Sequence, residues 1–341
     1  MGLPMDCSIE LKSKYKRGQK NLITDVPGVK VGHVTLTDEN EGVHTGVTCV
    51  LPHEGNIFRD KVMAGTAVIN GFGKSAGLVQ VDELGTIESP IMMTNTFGVG
   101  SVLNGTIRYM LGQNKDIGDT TGTVNCVVTE CNDWLLNDIR GMHVTEQDAI
   151  NAILNASDNF EEGAVGSGTG MRCMGLKGGI GSSSRILEID GENYTLGCLV
   201  MSNFGSIGEL KIDGTRFPTR LNENKEPERG SIIVILGTDI PLSSRQLRRA
   251  AKRAVVGLAR TGSYLGNGSG DIAIAFSNTN IVPHYSDKKI LNIRMFHDDA
   301  MDMIFEATAE VVEESVLSSL WHSETTKGFK DHVIYSLKEW L

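Results

Sequence analysis

The side chains of this sequence with the clearest chemical potential are hydroxyls at the points where apolar strands begin. Ser231 opens the run Ser231-Ile232-Ile233-Val234-Ile235-Leu236, which reads as a fully buried strand. The segment before it, Asp213 to Gly230, is polar and charged and ends in Gly230-Ser231. An upstream loop with chain freedom, a glycine that tolerates backbone strain and a strand that holds the hydroxyl are the parts of a self-cleaving N-terminal nucleophile. The same pattern describes a serine opening a strand after an ordinary surface loop, and the junction alone leaves both readings open. Ser269 and Asp271, in Asn267-Gly268-Ser269-Gly270-Asp271, sit on a glycine loop at the mouth of the next apolar strand. Pattern alone does not say whether the two strand beginnings share a sheet edge.

Other chemistries fail on spacing. Gly73-Lys74-Ser75 ends like a phosphate-binding loop, but Walker spacing needs glycine at position 68, which is Val68. The glycine runs 166–170 and 266–270 are G-x-G-x-G, and neither joins a strand to a helix with an acidic residue about 20 positions on. His297-Asp298-Asp299 puts acids at a helix start, where they complement the macrodipole. There is no H-E-x-x-H. Six cysteines are scattered without C-x-x-C pairs or histidines at zinc spacing, which fits reduced core thiols. What remains is hydroxyl chemistry, and no metal or cofactor is expected.

Composition narrows the partners. At 341 residues, with 40% apolar and 22% charged side chains, the chain has ordinary globular composition and enough length for a large core. A net charge of -10 argues against a nucleic-acid surface, which needs concentrated Lys and Arg. The basic stretch 245–253 carries Leu247, Ala250, Ala251, Ala254 and Leu258 at helical spacing and reads as the solvated face of an amphipathic helix. Met1 to Gln19 has no apolar signal-peptide core, and no run reaches membrane-span length. A cytoplasmic protein with neither nucleic-acid nor membrane partners is expected.

The elements that must position the hydroxyls come in blocks. Short strands are expected at 29–34, 46–51, 65–70, 90–95 and 125–130, with a helix at 102–111. A capping box of Thr145 and Asp148 opens a helix over 145–156. A glycine-dense segment, 163–184, precedes strands at 185–190 and 196–202. The strand 231–237, a basic helix over 243–260, a strand at 271–276 and a long helix from 298 to 320 complete the chain. Strands and helices in blocks imply helices packed outside stacked sheets.

Ordered blocks along nearly the whole chain resemble one family. Ile23-Thr24-Asp25-Val26-Pro27-Gly28-Val29-Lys30-Val31-Gly32-His33 resembles the opening of the DmpA-type L-aminopeptidase/D-esterase and β-peptidyl aminopeptidase family of self-processing serine peptidases. Matching blocks follow at 70–74, 83–85, 94–97, 168–171, 177–181, 202–205, 230–231, 257–262 and 266–271. The resemblance implies an α+β fold, an αββα sandwich like that of N-terminal-nucleophile hydrolases, as a single catalytic domain over 1–341. It implies self-cleavage between Gly230 and Ser231 into parts 1–230 and 231–341. Ser231 would be the nucleophile, with Ser269 and Asp271 orienting its freed amine and relaying protons, and Asn203 donating to the oxyanion. Glu130 would bind the substrate's amino terminus beside Asn132. Asn132 stands where well-known members carry an aromatic residue, and Asp271 where some carry Glu.

The implied activity is release of N-terminal residues, including β- or D-residues, from short peptides, amides or esters by a homo-oligomer. The alternative within the same fold is an acyltransferase of the ornithine acetyltransferase type, which places Thr at the nucleophile position, or an unprocessed inactive binding protein.

Overall fold

The computed structural model describes residues 11–206, 208–217 and 229–340, with Arg229 described by its backbone alone. In chain order the main strands are β1 (Lys30–Asp38), β2 (Val43–Leu51), β3 (Asp60–Gly71), β4 (Thr86–Ile87), β5 (Ile91–Asn95) and β6 (Val127–Cys131). They continue with β7 (Gly179–Ile189), β8 (Glu192–Asn203), β9 (Arg229–Thr238) and β10 (Gly268–Pro283). The helices are α1 (Leu78–Leu84), α2 (Val99–Gln113), α3 (Glu146–Leu154), α4 (Ser244–Ala251), α5 (Ala254–Arg260) and α6 (Met301–Trp321).

A four-stranded sheet runs β1-β2-β5-β6, and a six-stranded sheet runs β4-β3-β10-β9-β8-β7. Strand alternation gives each sheet two apolar faces. Val31, Ile91, Met93 and Val127 of the small sheet meet Leu199, Met201, Ile233, Ile235, Ile272 and Ile274 of the large one in a shared core. On the other face of the large sheet, Ile232, Val234, Ala273 and Ala275 pack against Leu247, Ala250, Leu258, Ile304, Val311 and Val312 from α4 to α6. The small sheet turns Val47, Cys49, Met92 and Val128 outward against α2 and α3. The result is the expected helix–sheet–sheet–helix sandwich.

Local chemistry explains where the elements begin and end. Thr145 caps α3 through the expected box with Asp148, and Ser243 caps α4 in the same way with Gln246. The basic region forms two helices in place of the single one expected over 243–260. The chain tightens at Arg253, whose N–H bonds the carbonyl of Ala250, and Arg253 lies over the ring of Phe305 at 4.0 Å. Leu247, Ala250, Ala251, Ala254 and Leu258 are all buried, as the amphipathic pattern requires. The seven-residue α1 was not expected; it is closed at both ends by glycines in the left-handed region, Gly77 and Gly85. Strand β7 starts inside the glycine-dense segment because Gly181 packs against α6, where a Cβ would lie 2.0 Å from the Ser315 carbonyl oxygen. The five described cysteines are free and buried, as expected, and Cys7 lies outside the described residues. Of the polar segment 213–230, residues 218–228 also lie outside them.

Behind the end of β6 a buried polar network holds the chain turn that follows. The Asp133 carbonyl accepts from the N–H groups of Leu136 and Asn137, and the Asn137 amide donates to Asp133 Oδ1 at 3.1 Å. Burial pushes the Asp133 carboxyl up to about 6, only partly offset by these hydrogen bonds. Because the raised value belongs to the folded state, Asp133 favours folding fully below about pH 4. That contribution is lost as pH rises to about 6. In urea unfolding of the unbroken chain, the stability difference between Asp133→Asn and wild type should therefore move by ~2–3 kcal/mol in favour of the variant between pH 4 and pH 7. A pH-independent difference would refute the assignment.

Candidate active site

The site is built on one edge of the large sheet by strand register. Strand β9 runs parallel to β10 and antiparallel to β8. The beginnings of β9 and β10 therefore lie at the same edge as the end of β8, which the sequence pattern could not decide. Ser231 stands opposite Asn203 on one side and Gly270 on the other. Register partners share a face, so Ser231 and Asn203 both project toward the space between the sheets. Directly opposed residues in an antiparallel pair bring their Cβ atoms to about 4.5–5.5 Å. Ser231 is 6% exposed, and its hydroxyl oxygen accepts from the Gly270 N–H at 3.2 Å.

Asn203 is oriented from both ends of its amide. Its Oδ1 accepts from the Arg172 N–H at 2.9 Å, and its Nδ2 donates to the Asn132 carbonyl at 2.9 Å. The two contacts settle which end is nitrogen. Among the described residues the contact with Asn132 is the one bond of the amide nitrogen, which leaves its second N–H on the face shared with Ser231.

Ser269 and Asp271 flank Gly270 and leave the sheet on the opposite, helix-side face. Both are fully buried. The Ser269 hydroxyl donates to Asp271 Oδ1 at 2.5 Å, and the Asn70 amide at the end of β3 donates to Asp271 Oδ2 at 3.0 Å. Asn70 also reaches the carbonyls of Leu265 and Gly266, which ties the glycine loop to the edge.

Glu130 comes from the other sheet. Residues 71–76 bridge the two layers: the Phe72 N–H bonds the Ser269 carbonyl, and Ala76 pairs with Val128. Midway, the Lys74 N–H donates to Glu130 Oε1 at 2.8 Å, while Thr96 donates to Oε2. A Cβ on Gly73 would sit 3.7 Å from both Glu130 Oε1 and Gly270 Cα, so the carboxylate stands close to the strand edge that carries Ser231. Asn132 is exposed; its side chain accepts from the Trp134 N–H, and its carbonyl is the part that meets Asn203.

The structure thus gathers Ser231, Asn203, Ser269, Asp271 and Glu130 at one edge of the large sheet. It adds partners that the sequence reading did not single out as site residues: Asn70, Thr96 and the N–H groups of Arg172 and Gly270. Asn70 and Thr96 each fall at the polar end of an apolar strand, a signal available in the sequence. The backbone donors carry no signal in residue type.

Gly230 completes the geometry with φ at +122°, in the region open mainly to glycine. A Cβ there would lie 1.9 Å from the Asn203 carbonyl oxygen. Among the described residues no cluster of His, Cys, Asp and Glu could hold a metal ion, and no helix is long and apolar enough to cross a membrane.

Comparison with known proteins agrees with this architecture. The profile of peptidase family S58 matches residues 21–334. The beta-peptidyl aminopeptidase BapA of Sphingosinicella microcystinivorans is 37% identical, over 94% of this chain and 86% of that protein. The PH0078 protein of Pyrococcus horikoshii superposes with a TM-score of 0.90 at 52% identity, covering 96% of this chain and 94% of the other. The L-aminopeptidase D-Ala-esterase/amidase of Ochrobactrum anthropi, a variant of the Ntn-hydrolase fold, gives 0.88 at 35% identity, covering 96% and 93%. With its sheets, its serine edge and these relatives in agreement, the chain belongs to peptidase family S58 and is a hydrolase of the serine aminopeptidase type.

Proposed function

We propose that the protein cleaves itself between Gly230 and Ser231 and then uses the freed amino group of Ser231 as the base for its own hydroxyl. The observation that carries this reading is the register of β9, which sets Ser231 opposite Asn203 and between the positions of Ser269 and Asp271. In the unbroken chain, Ser231 Oγ attacks the Gly230 carbonyl, the peptide shifts to an ester, and water releases the Gly230 carboxylate. The new α-amine, with a pKa near ~7.7–8, is about half neutral around that pH and can act as a base. Ser269 and Asp271 lie across the strand from the hydroxyl, so the part of Ser231 they can serve is its main-chain nitrogen. Their role is to orient the amine and relay its proton.

In turnover the amine takes the Ser231 proton and the oxygen attacks the substrate carbonyl. The free N–H of Asn203 receives the developing oxyanion, and the amine returns the proton to the leaving group. Water then hydrolyses the acyl-enzyme. Glu130 pairs with the positive amino terminus of the substrate and limits the enzyme to releasing one terminal residue at a time. We infer short peptides, amides and esters as substrates, including β-residues, in line with the relatives' named activities. The whole chain acts as one catalytic domain, since the large sheet takes strands from both sides of the cleavage site. Exposed Ile290, Leu291, Ile293 and Met295 support a homo-oligomer, and we place it in the cytoplasm.

Intact mass under denaturing conditions tests the reading directly. Purified protein should give two fragments, 1–230 and 231–341, and Ser231→Ala a single chain; one unbroken chain in both would refute it. Gly230→Ala should slow or abolish cleavage, because its Cβ collides with the Asn203 carbonyl and its φ is strained. Cleavage at the wild-type rate would remove Gly230 from the mechanism. The pH profile of kcat/KM should be bell-shaped. It should rise as the Ser231 amine loses its proton and fall as the substrate amine loses the charge that Glu130 binds. A substrate acetylated at its amino terminus should be hydrolysed at least ~10²-fold more slowly if Glu130 makes that charge-assisted contact.

A further inference from the structure

Lys177 is fully buried, and among the described residues no carboxylate pairs with it. Its Nζ donates to three main-chain carbonyls, Gly168 at 3.2 Å, Met171 at 3.0 Å and Gly178 at 2.7 Å. Three carbonyl acceptors match the three hydrogens of an ammonium; a neutral amine has only two to give. Burying such a charge without a counter-ion is costly, and burial pushes the group down to about 7. A position needed only to fill the core would be served better by an apolar side chain.

The three carbonyls belong to one turn, residues 168–178, and that turn ends on the active site. Arg172 pairs with Lys177 in a two-residue hairpin, and the Gly178 N–H closes onto the Met171 carbonyl. The Arg172 N–H then meets Asn203 Oδ1, and the Met174 N–H meets the carbonyl of the next residue, Phe204. Ser323, just beyond α6, donates to the same Gly178 carbonyl at 2.9 Å. Lys177 is the point at which this turn is drawn together.

We propose that Lys177 is a positioning residue for the oxyanion donor. Its ammonium gathers the 168–178 turn so that the Arg172 N–H holds the Asn203 amide with its nitrogen toward Ser231. This rests on the role given to Asn203 under the proposed function. Neither a planar guanidinium nor a glutamine amide reproduces three converging donors, so neither replaces it.

The test compares Lys177→Met, Lys177→Gln, Lys177→Arg, Asn203→Ala and the Lys177→Met/Asn203→Ala double variant. Each is followed for self-cleavage by intact mass and for kcat and KM on a small aminoacyl amide. Rates are expressed per acyl-enzyme formed in a burst titration, so unfolded molecules do not count. Asn203→Ala should lose about 10²–10³ in kcat. Lys177→Met should lose about 10–100-fold in kcat with KM within about twofold, as expected for an interaction made in the transition state. In the Asn203→Ala background, Lys177→Met should add no further loss.

If Asn203→Ala keeps wild-type kcat, the oxyanion role itself falls. If Asn203→Ala is slow while folded Lys177→Met is not, or if the two losses multiply, the positioning role falls and the oxyanion role stands. Failure of all three Lys177 variants to fold would assign Lys177 to the fold alone and overturn the proposal.

Discussion

The parallel pairing of β9 with β10 is the interaction on which the site depends. Parallel neighbours begin at the same edge, so Ser231 and the Ser269–Asp271 pair arrive together although a helical crossover separates them in sequence. The antiparallel partner β8 ends at that edge and delivers Asn203. A slip of one residue in either ladder would turn Ser231 or Asn203 to the opposite face. Register is held by the apolar alternation itself: Ile233 and Ile235 face the second sheet, while Ile232 and Val234 face the helices, so any slip changes the environment of every side chain in the strand.

The same alternation divides the chemistry. The Ser231 hydroxyl and the Asn203 amide lie on the inner face, and the Ser269–Asp271–Asn70 group lies on the helix side. A base that must deprotonate an inner-face hydroxyl cannot be supplied from the outer face through a strand. An N-terminal amine avoids that difficulty because it sits in the line of the strand, reachable from both sides. The arrangement therefore suits a nucleophile that carries its own base better than a serine served by a distant one.

The second sheet closes the site. Residues 71–76 cross from β3 to β6, bonding the Ser269 carbonyl, Glu130 and Val128 in turn, so that one short segment spaces the carboxylate from the edge that carries Ser231. Helix α6 supports the edge from outside: Ser319 meets Ser202, the residue before Asn203, at 2.6 Å. The buried ion pairs of Arg185 with Glu310 and Glu314 hold the middle of that helix to β7. Such buried pairs specify a single arrangement more than they add stability.

Much of the fold was legible from the sequence, because alternation and helical period are local properties of side-chain order. The strand at 231–237, the capped helix at 145–156 and the buried stripe of the basic region all came from such patterns. Where competing local signals decided, as at the break after Ala251 or in the glycine-flanked α1, the sequence pattern was incomplete, because tertiary contacts such as Arg253 over Phe305 set the boundary. Family resemblance named Ser231, Asn203, Ser269, Asp271 and Glu130 but carried no geometry. Tertiary structure decided that β9 and β10 run parallel, that Asn203 faces Ser231 and that Asp271 does not. It also decided that backbone N–H groups of Arg172 and Gly270 are part of the site. Those facts depend on pairing between distant segments, and a main-chain donor is the same in every residue but proline.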